Sequence, residues 1–397
     1  MPKTYKQKIE ANIWKYAVHL VTSKRIYYTI TGVYLLQLEG ATAQTVGLVM
    51  AVGSIASFLF ELPSGYISDK IGHRNALILS RVFFTLSAVS YLIGGHVALF
   101  FLAQILSGIG QSLVSGTGSA FMHDTLRALK RDNKFSHIMG KLGSIGYAVP
   151  IVFIMTVPFL TQISFKIPFL IMIVLDLIGL AAAVSFTSPK KSNSEIEEIG
   201  THNLRKVLKL GASMKLYRYI LFVGFLLGAV TVFSGFKDVY QQFVGVPIIY
   251  YGIFWGLSRG VVALCLPLNG WVKDHLTFLQ FLGTKLVLAL SLFVTLSFTR
   301  NPVIIVAMFI LIAALNWSFN TAEQHYLIDI MGRTSFKATL LSTRSLIYEI
   351  VFATGSLLVG MMIGVDHYAP AFLAATIVIA TIGIPFYLGL VVADRRR

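Results

Sequence analysis

The residues of this chain that could do chemistry are ionisable side chains inside long apolar runs. Lys24, Arg25, Lys237, Asp238 and Glu323 all lie in such runs. A charged side chain at the centre of a bilayer costs about 3 kcal/mol or more unless it is paired or hydrated. Each of these residues is therefore expected to bind a ligand, carry a proton or form a buried ion pair.

The charges in the first, seventh and eighth runs leave alternatives open. Lys24 and Arg25 are interpreted as cations that face an internal cavity, and the alternative is that they snorkel to the inner surface. Because neighbours on a helix point about 100° apart, at most one of them faces the cavity squarely. Lys237 and Asp238 form either a substrate contact or a self-neutralising pair. Arg259 is expected either to bind the ligand or to pair with a carboxylate of the protein.

A polar stretch around Glu323 indicates a cavity wall. Asn316, Asn320 and Glu323 recur at helical spacing on one face, and such a face does not favour lipid. In a partly dry cavity, Glu323 could take up a proton on one side of the membrane and release it on the other. The alternative is a permanent ion pair between Glu323 and Arg259 or Lys24.

Further polar residues complete the set of candidate ligands and proton carriers. Asp176 and Glu349 are additional candidates for proton coupling, while Lys285 is expected to snorkel to the inner surface. The remaining candidate substrate ligands are Gln104, Gln111 and Gln242.

The composition is that of a membrane protein. Of the 397 residues, 56% are hydrophobic and 13% are charged, whereas a soluble domain has about 25% charged residues. The single cysteine, Cys265, excludes a disulfide framework and a cysteine metal site. The chain has no Gly-x-Ser-x-Gly, His-Glu-x-x-His or Gly-x-x-x-x-Gly-Lys motif, so an enzyme is not expected, and neither is a cofactor or a metal.

Apolar runs of about 20 residues, each long enough to cross about 30 Å of hydrocarbon, recur along the chain. The first is too long and too charged for a cleavable signal peptide. We predict an all-α integral membrane protein with two pseudo-symmetric six-helix bundles, 1–187 and 217–397, joined by a cytoplasmic linker at 188–216. The twelve expected spans are 13–38, 45–64, 76–95, 97–123, 137–160, 166–187, 217–243, 248–269, 277–298, 302–328, 337–363 and 369–392.

Positive charge is concentrated on one side of these spans. The loops assigned to the inside hold most of the basic residues, for example Lys70, Arg127 and Lys190, whereas the opposite loops hold only Lys166 and Arg300. This bias predicts that both termini are cytoplasmic and that the protein lies in the cytoplasmic (inner) membrane. The net charge of +16 is then a topology signal, and nucleic-acid binding is not expected.

The two predicted halves are related in sequence. A constant shift of 205 residues pairs Gln37 with Gln242, Gly40 with Gly245, Gly47 with Gly252, Gly65 with Gly270, Asp69 with Asp274 and Asp124 with Asp329. Ungapped identities of this kind indicate a parallel repeat, and in such architectures substrate binds near the bilayer midplane where the repeats meet.

The loop after the second span carries the most specific motif. It reads Gly65-x-x-x-Asp69-Lys70-x-Gly72-x-Arg74, which combines a glycine turn with a charged cluster at the membrane face. This stretch resembles the loop 2–3 signature of the major facilitator superfamily. The resemblance implies a twelve-helix transporter that works by rocking of two halves, with spans 1, 4, 7 and 10 lining the cavity.

Charged residues at the inner ends of the spans are interpreted as a cytoplasmic gate. The resemblance implies a latch role for Asp69. Asp124 and Asp329 lie near helix C-termini, where a carboxylate opposes the helix dipole and needs a compensating cation. We predict a charge network across the halves; the alternative is that these charges only set topology. The candidate gate residues are Glu61, Gly65, Asp69, Gly72, Arg74, Asp124, Asp274, Asp329 and Arg344.

The predicted function is proton-coupled efflux of a small amphipathic or organic-anion solute by alternating access, in the manner of multidrug efflux members of the family. Four candidate cavity cations against two carboxylates also support a dedicated organic-anion or siderophore transporter, working in uptake or export. A non-transporting membrane sensor is a further alternative. Protons and the lipid bilayer are the other expected partners, and a monomer is the family default.

Overall fold

The computed structural model describes residues 4–115, 117–131, 134–189, 216–331, 337–364 and 367–395. Most of the predicted linker and the side chains of Asp69 and Asn320 lie outside the described part. All regular elements within it are helices, and eleven are long and apolar enough to span a membrane. The α-helices are α1 Tyr5–Thr22, α2 Thr31–Leu35, α3 Ala43–Ile71, α4 His73–Ile93, α5 Val97–Val114, α6 Thr117–Ala128, α7 Phe135–Leu160, α8 Ile167–Val184, α9 Leu216–Gly235, α10 Lys237–Phe243, α11 Tyr251–Cys265, α12 Leu268–His275, α13 Phe278–Phe298, α14 Pro302–Trp317, α15 Asn320–Met331, α16 Lys337–Ile363 and α17 Tyr368–Arg395.

The first predicted span is not one continuous helix. The expectation of a helix over 13–38 is wrong, because α1 ends at Thr22 and a 3₁₀ turn, Ile26–Thr29, precedes α2. Arg25 explains the break: its Nε donates to the Ser23 carbonyl at 3.2 Å and its Nη2 donates to the Thr22 carbonyl at 3.3 Å. A side chain thus satisfies carbonyls that a continuing helix would have bonded.

Three other spans that the family resemblance assigns to the cavity are interrupted in the same way. Span 4 consists of α5 and α6, span 7 of α9 and α10, and span 10 of α14 and α15. In transporters, discontinuous helices expose backbone groups that bind substrates or ions near the membrane midplane. Span 8 is also interrupted, between α11 and α12, so the breaks are not confined to the spans assigned to the cavity.

By its contacts, the chain divides into two compact units. The first unit comprises Met1–Thr29 and Val52–His202, and the second comprises Ile30–Ala51 and Asn203–Arg397. The six-and-six division at 1–187 and 217–397 remains our proposal for the functional halves. Each unit has its own apolar core.

In the first unit, aromatic and aliphatic side chains from α1, α4, α6, α7 and the segment after α8 form one buried cluster. Its members are Tyr16, Leu77, Phe121, Met122, Leu126, Leu142, Ala183 and Phe186. Within a bilayer such packing, rather than exclusion of water, holds helices together. This core fixes the positions of α1, which precedes Arg25, of α4, which carries Arg81, and of α8, which carries Asp176.

In the second unit, the aromatic core centres on Phe233, whose ring stacks on that of Phe293 at a centroid distance of 3.8 Å. The start of α3 packs against α16 through two glycines. A Cβ added to Gly360 would lie 3.1 Å from the Gly47 Cα and 3.0 Å from the Ala43 carbonyl oxygen. The two backbones approach so closely that neither position has room for a side chain.

Backbone conformation supports the internal repeat. Gly40 and Gly245, which the 205-residue shift pairs, both have positive φ, at 73° and 80°. Residues with a Cβ rarely adopt this conformation, so glycine is needed at both positions. The same turn therefore follows α2 and α10, which occupy corresponding places in the repeat.

Candidate functional site

A carboxylate held by two arginines lies at the centre of the first unit. Arg25 donates to both oxygens of Asp176, with Nη1 to Oδ2 at 2.7 Å and Nη2 to Oδ1 at 2.6 Å. Arg81 Nη1 donates to Oδ1 at 3.3 Å. The side chains of Arg81 and Asp176 are fully buried and that of Arg25 nearly so. Fork-shaped pairs of this type are among the strongest polar contacts in proteins.

His19 joins this cluster without adding a charge. Its Nδ1 accepts a hydrogen bond from Arg81 Nε at 3.1 Å, and its backbone carbonyl accepts one from Arg81 Nη2. A ring nitrogen that accepts is unprotonated, so the imidazole is neutral and its proton is on Nε2. Nε2 is buried as well. With all three side chains charged, the two arginines and one aspartate give this cluster a net charge of +1.

Arg81 was not singled out from the sequence, although it is the most deeply buried cation of this cluster. It lies near the inner end of its span, where a basic side chain is explained by the general excess of positive charge on the inside. The general rule that an ionisable residue in a membrane helix marks a site would have found it. What the sequence could not show is that Arg81 points to Asp176, 95 residues away.

Lys24 and Arg25, which both lie in the break after α1, point in different directions. Arg25 points into the Asp176 cluster, while the Lys24 ammonium lies 4.3 Å from the centroid of the Tyr147 ring on α7. This cation–π contact stabilises the Lys24 ammonium.

A second carboxylate with two cations lies in the second unit. Lys285 Nζ is 2.7 Å from Glu323 Oε2, and Arg344 Nη1 is 2.8 Å from Glu323 Oε1. The prediction that Lys285 snorkels is wrong, since its side chain is only 2% exposed. The partners of Glu323 are thus Lys285 and Arg344, not the Arg259 or Lys24 that the sequence suggested. With all three side chains charged, this triad also has a net charge of +1.

The members of the triad differ in accessibility. The Arg344 side chain is 13% exposed, against 1% for Glu323. Arg344 was interpreted as a gate residue, but the structure places it on the carboxylate that was predicted to carry protons. Arg344 is therefore the cation of the triad that an incoming ligand could reach.

The rest of span 10 shows the two faces that its spacing predicts. Asn316 is fully buried and donates through Nδ2 to Thr231 Oγ1 at 3.0 Å. Its Oδ1 is buried and has no partner in the described part of the chain. Trp317 and Gln324, on the other side, are exposed. The Asn320 side chain lies outside the described residues.

In span 7, Asp238 and Lys237 make separate contacts. Asp238 is 3% exposed and accepts a hydrogen bond from the Gly32 N–H at 2.8 Å. The Lys237 ammonium lies 4.5 Å from the centroid of the Trp255 ring. The carboxylate therefore ties α10 to the start of α2 within the second unit.

The other candidate ligands and proton carriers are more scattered. Gln104 packs on Gly53, where an added Cβ would lie 3.0 Å from Gln104 Oε1. Gln242 Oε1 is buried and has no partner among the described residues. Gln111 is exposed, and Arg259 and Glu349 are half-buried.

At the inner end of the first unit, the loop motif forms a hydrogen-bonded chain. Gly72, with φ at 86°, separates α3 from α4. His73 Nε2 is 3.6 Å from Asp124 Oδ2, and His73 Nδ1 is 2.9 Å from Ser68 Oγ. Arg74 donates to the Val184 carbonyl, so the motif also contacts the end of α8.

The second unit repeats part of this arrangement. Lys273 Nζ is 3.0 Å from Asp329 Oδ2, while Asp274 is exposed. Asp124 and Asp329, which the repeat pairs, each face a basic residue from the region between two spans of their own unit. Glu61 accepts from Ser115 Oγ at 3.0 Å, and Gly65 has open space around it. The charge network across the halves stays a prediction, and the Asp69 side chain lies outside the described residues.

Comparison with known proteins assigns this architecture to a family. The family model described as "Major Facilitator Superfamily" matches residues 20–336. The chain belongs to this superfamily. This is the family that the loop motif after the second span indicated.

Solved transporters of the superfamily share the fold. The nucleoside transporter NupG superposes with a TM-score of 0.75 at 11% identity, covering 95% of this chain and 98% of that one. A bacterial homologue of the human lysosomal transporter Spinster, inward-facing and unoccupied, gives 0.72 at 13% identity, covering 98% and 97%. At such identities the likeness concerns the fold alone.

Curated relatives match over shorter stretches. Multidrug resistance protein 2 of Bacillus subtilis (strain 168) is 23% identical over 211 residues, 51% of this chain and 50% of that protein. The uncharacterized MFS-type transporter YqjV of the same organism is 32% identical over 92 residues, 23% of this chain and 22% of its own length. The chain thus aligns with half or less of the length of each.

For a facilitator transporter, the two charged clusters are the chemically distinctive feature. Among the described residues, no group of three His, Cys, Asp or Glu side chains could hold a metal ion. Each unit instead presents one carboxylate and two cations. An anion can pair with the cation that is in excess, or it can replace the carboxylate as the partner of one cation.

Proposed function

We propose that this protein is a secondary active transporter of small organic anions, working by alternating access in the cytoplasmic membrane and coupled to protons. The observation that carries the proposal is the excess of buried positive charge. Arg25 and Arg81 surround Asp176, and Lys285 and Arg344 surround Glu323. Buried charge of one sign is costly in a membrane protein, and an anionic substrate would reduce that cost.

The Glu323 triad offers a mechanism for proton coupling. A proton that neutralises Glu323 weakens its hold on Arg344, which then becomes available to a carboxylate of the substrate. By linkage, an anion on Arg344 favours protonation of Glu323 to the same extent. Proton and anion therefore bind together and cross the membrane in the same direction.

A second candidate function is proton-coupled efflux of amphipathic compounds. The similarity to Multidrug resistance protein 2 favours it. The two functions differ in substrate charge and in the direction of the proton. The excess of positive charge that attracts an anion would repel a cationic drug.

The test is a proton-flux assay in sealed proteoliposomes containing a trapped pH dye. A panel of organic anions and cations is added to the wild-type protein and to Glu323→Gln. We expect anion-dependent proton movement in the same direction as the anion, lost in Glu323→Gln and retained in the exposed control Glu39→Gln. Protein-free liposomes give the background entry of neutral acids.

Other results would reject the proposal. Proton movement opposite to that of a cationic compound would replace it with drug efflux. Anion movement without any proton signal would remove proton coupling and leave facilitated transport. If no compound moves, the sensor alternative is favoured.

A further inference from the structure

One face of α7 is polar and open, although the helix is long and apolar enough to span the membrane. A shallow cavity that is largely open, of about 600 Å³, lies along it and is lined only by residues of α7: His137, Gly140, Lys141, Ser144 and Ile145. His137, Lys141 and Ser144 are separated by four and three residues, so their side chains share one side of the helix. All three are exposed.

The charge of this face is entirely positive or neutral. No carboxylate lines the cavity, and none of the ion pairs found among the described residues involves His137 or Lys141. A cation in the first turns of a helix also opposes the helix dipole. The bias of basic residues to the inside explains why a lysine is near this end of the span, but it does not explain why Lys141 faces a cavity.

The same face continues toward an aromatic surface. Tyr147 follows Ser144 by three residues, is 57% exposed, and has the Lys24 ammonium 4.3 Å from its ring centroid. Ile145, which lines the cavity on the other side of this face, is 43% exposed. From Lys141 to Tyr147 the helix rises about 9 Å, which is comparable to the length of a carboxylic acid with two fused rings.

We propose that the α7 face is a binding site for aromatic carboxylates. Lys141 and, when protonated, His137 pair with the carboxylate, and the Ser144 hydroxyl donates a hydrogen bond to it. The ring system lies against the Tyr147 ring. This inference rests on the proposed function, for which it names the substrate class and a first binding position.

The test measures equilibrium binding of radiolabelled naphthoate to the purified full-length protein. Losing a charge-assisted contact should weaken binding, and we expect Lys141→Gln to raise the Kd about tenfold. The matched control is Lys134→Gln, an exposed cation just before α7 that does not line the cavity, for which the Kd should not change. Naphthalene methanol, without the charge, and hexanoate, without the rings, should each bind about tenfold more weakly than naphthoate.

A second variant tests the cavity without changing charge. A Cβ on Gly140 would meet no atom within 4 Å, so Gly140→Leu can fill the cavity while improving helix propensity. We expect it to abolish naphthoate binding while the melting temperature stays at or above that of the wild type. Unchanged binding in Gly140→Leu would show that the ligand lies elsewhere.

The outcomes separate this inference from the proposed function. If the wild type transports organic anions but Lys141→Gln and Lys134→Gln weaken naphthoate binding equally, the α7 site is wrong and the transport function stands. The same holds if transported anions bind equally well with or without an aromatic ring. If naphthoate binds as described but no anion is transported, the proposed function is wrong and the site remains as a binding site.

Discussion

Asp176 shows what a single side chain can decide in this molecule. Its two arginine partners come from spans 1 and 3, so the carboxylate joins three helices in the core of the first unit. Removing one partner of a buried pair leaves an uncompensated charge, which typically costs about 3–5 kcal/mol. The two sides of this pair are not equivalent, because there is one carboxylate for two cations.

We expect Asp176→Asn to destabilise the protein far more than Arg25→Gln does. The asparagine variant leaves two buried arginines without a carboxylate, whereas Arg25→Gln leaves Asp176 paired with Arg81. Melting temperatures in detergent, with yield after size exclusion, measure the difference. Equal melting of the two variants would mean that the excess charge is compensated by a group other than Asp176.

Replacing Lys285 and replacing Arg344, the two cations that contact Glu323, should have different effects on stability and on anion binding. Lys285 is 2% exposed and Arg344 is 13% exposed, so the lysine is the structural partner of Glu323 and the arginine the exchangeable one. We predict that Lys285→Gln lowers the melting temperature, while Arg344→Gln leaves it nearly unchanged and weakens anion binding about tenfold. Parallel melting and binding curves of both variants decide this. The opposite pattern would transfer the ligand role to Lys285.

At the level of elements, hydropathy predicted where most helices lie but not where they break. The spans exist because apolar runs of sufficient length recur, and this is a local property of the sequence. The interruption of span 1 depends on Arg25 bonding the carbonyls behind it while it reaches Asp176. The position of this break depends on contacts with residues distant in the sequence, so the periodicity of the sequence alone could not reveal it.

The candidate site was predictable to a similar degree. That Arg25, Asp176, Glu323 and Asp238 need partners follows from the membrane environment. Which partners they have does not, since pairs such as Lys285 with Glu323 join residues 38 positions apart. Arg81 was missed because a basic residue near an inner helix end has an ordinary explanation.

The glycines of the repeat give a prediction for elements. Gly40→Ala and Gly245→Ala should each cost about 1 kcal/mol, because a Cβ is unfavourable at positive φ. Gly270→Ala is the control, since Gly270 is helical and an added Cβ meets no atom within 4 Å. It should be neutral or slightly stabilising. Thermal melting of the three variants tests the assignment, and equal melting of all three would contradict the shared turn geometry.

For the whole molecule, the close contact between α3 and α16 sets a limit on movement. In the alternating-access cycle that we propose, residues 1–187 move against residues 217–397, so this contact would separate and form again in every cycle. A side chain at Gly360 would meet the Gly47 Cα at 3.1 Å, so the helices could not return to this distance. The contact is therefore expected to matter more for turnover than for folding.

We predict that Gly360→Val lowers the transport rate at least tenfold while substrate still binds. Gly389→Val is the matched control, because an added Cβ there meets no atom within 4 Å. Initial rates in proteoliposomes and equilibrium binding in detergent distinguish the two effects. Wild-type turnover of Gly360→Val would show that the cycle does not pass through this close approach.

The residues of the buried Asp176 cluster are synthesised at different times. Arg25 precedes Asp176 by 151 residues and Arg81 precedes it by 95. At ribosomal rates, on the order of ten seconds separate the appearance of Arg25 from that of its carboxylate. Until Asp176 is synthesised, Arg25, and Arg81 once it has been synthesised, must be kept hydrated or beside lipid headgroups by the insertion machinery, and span 6 completes the assembly.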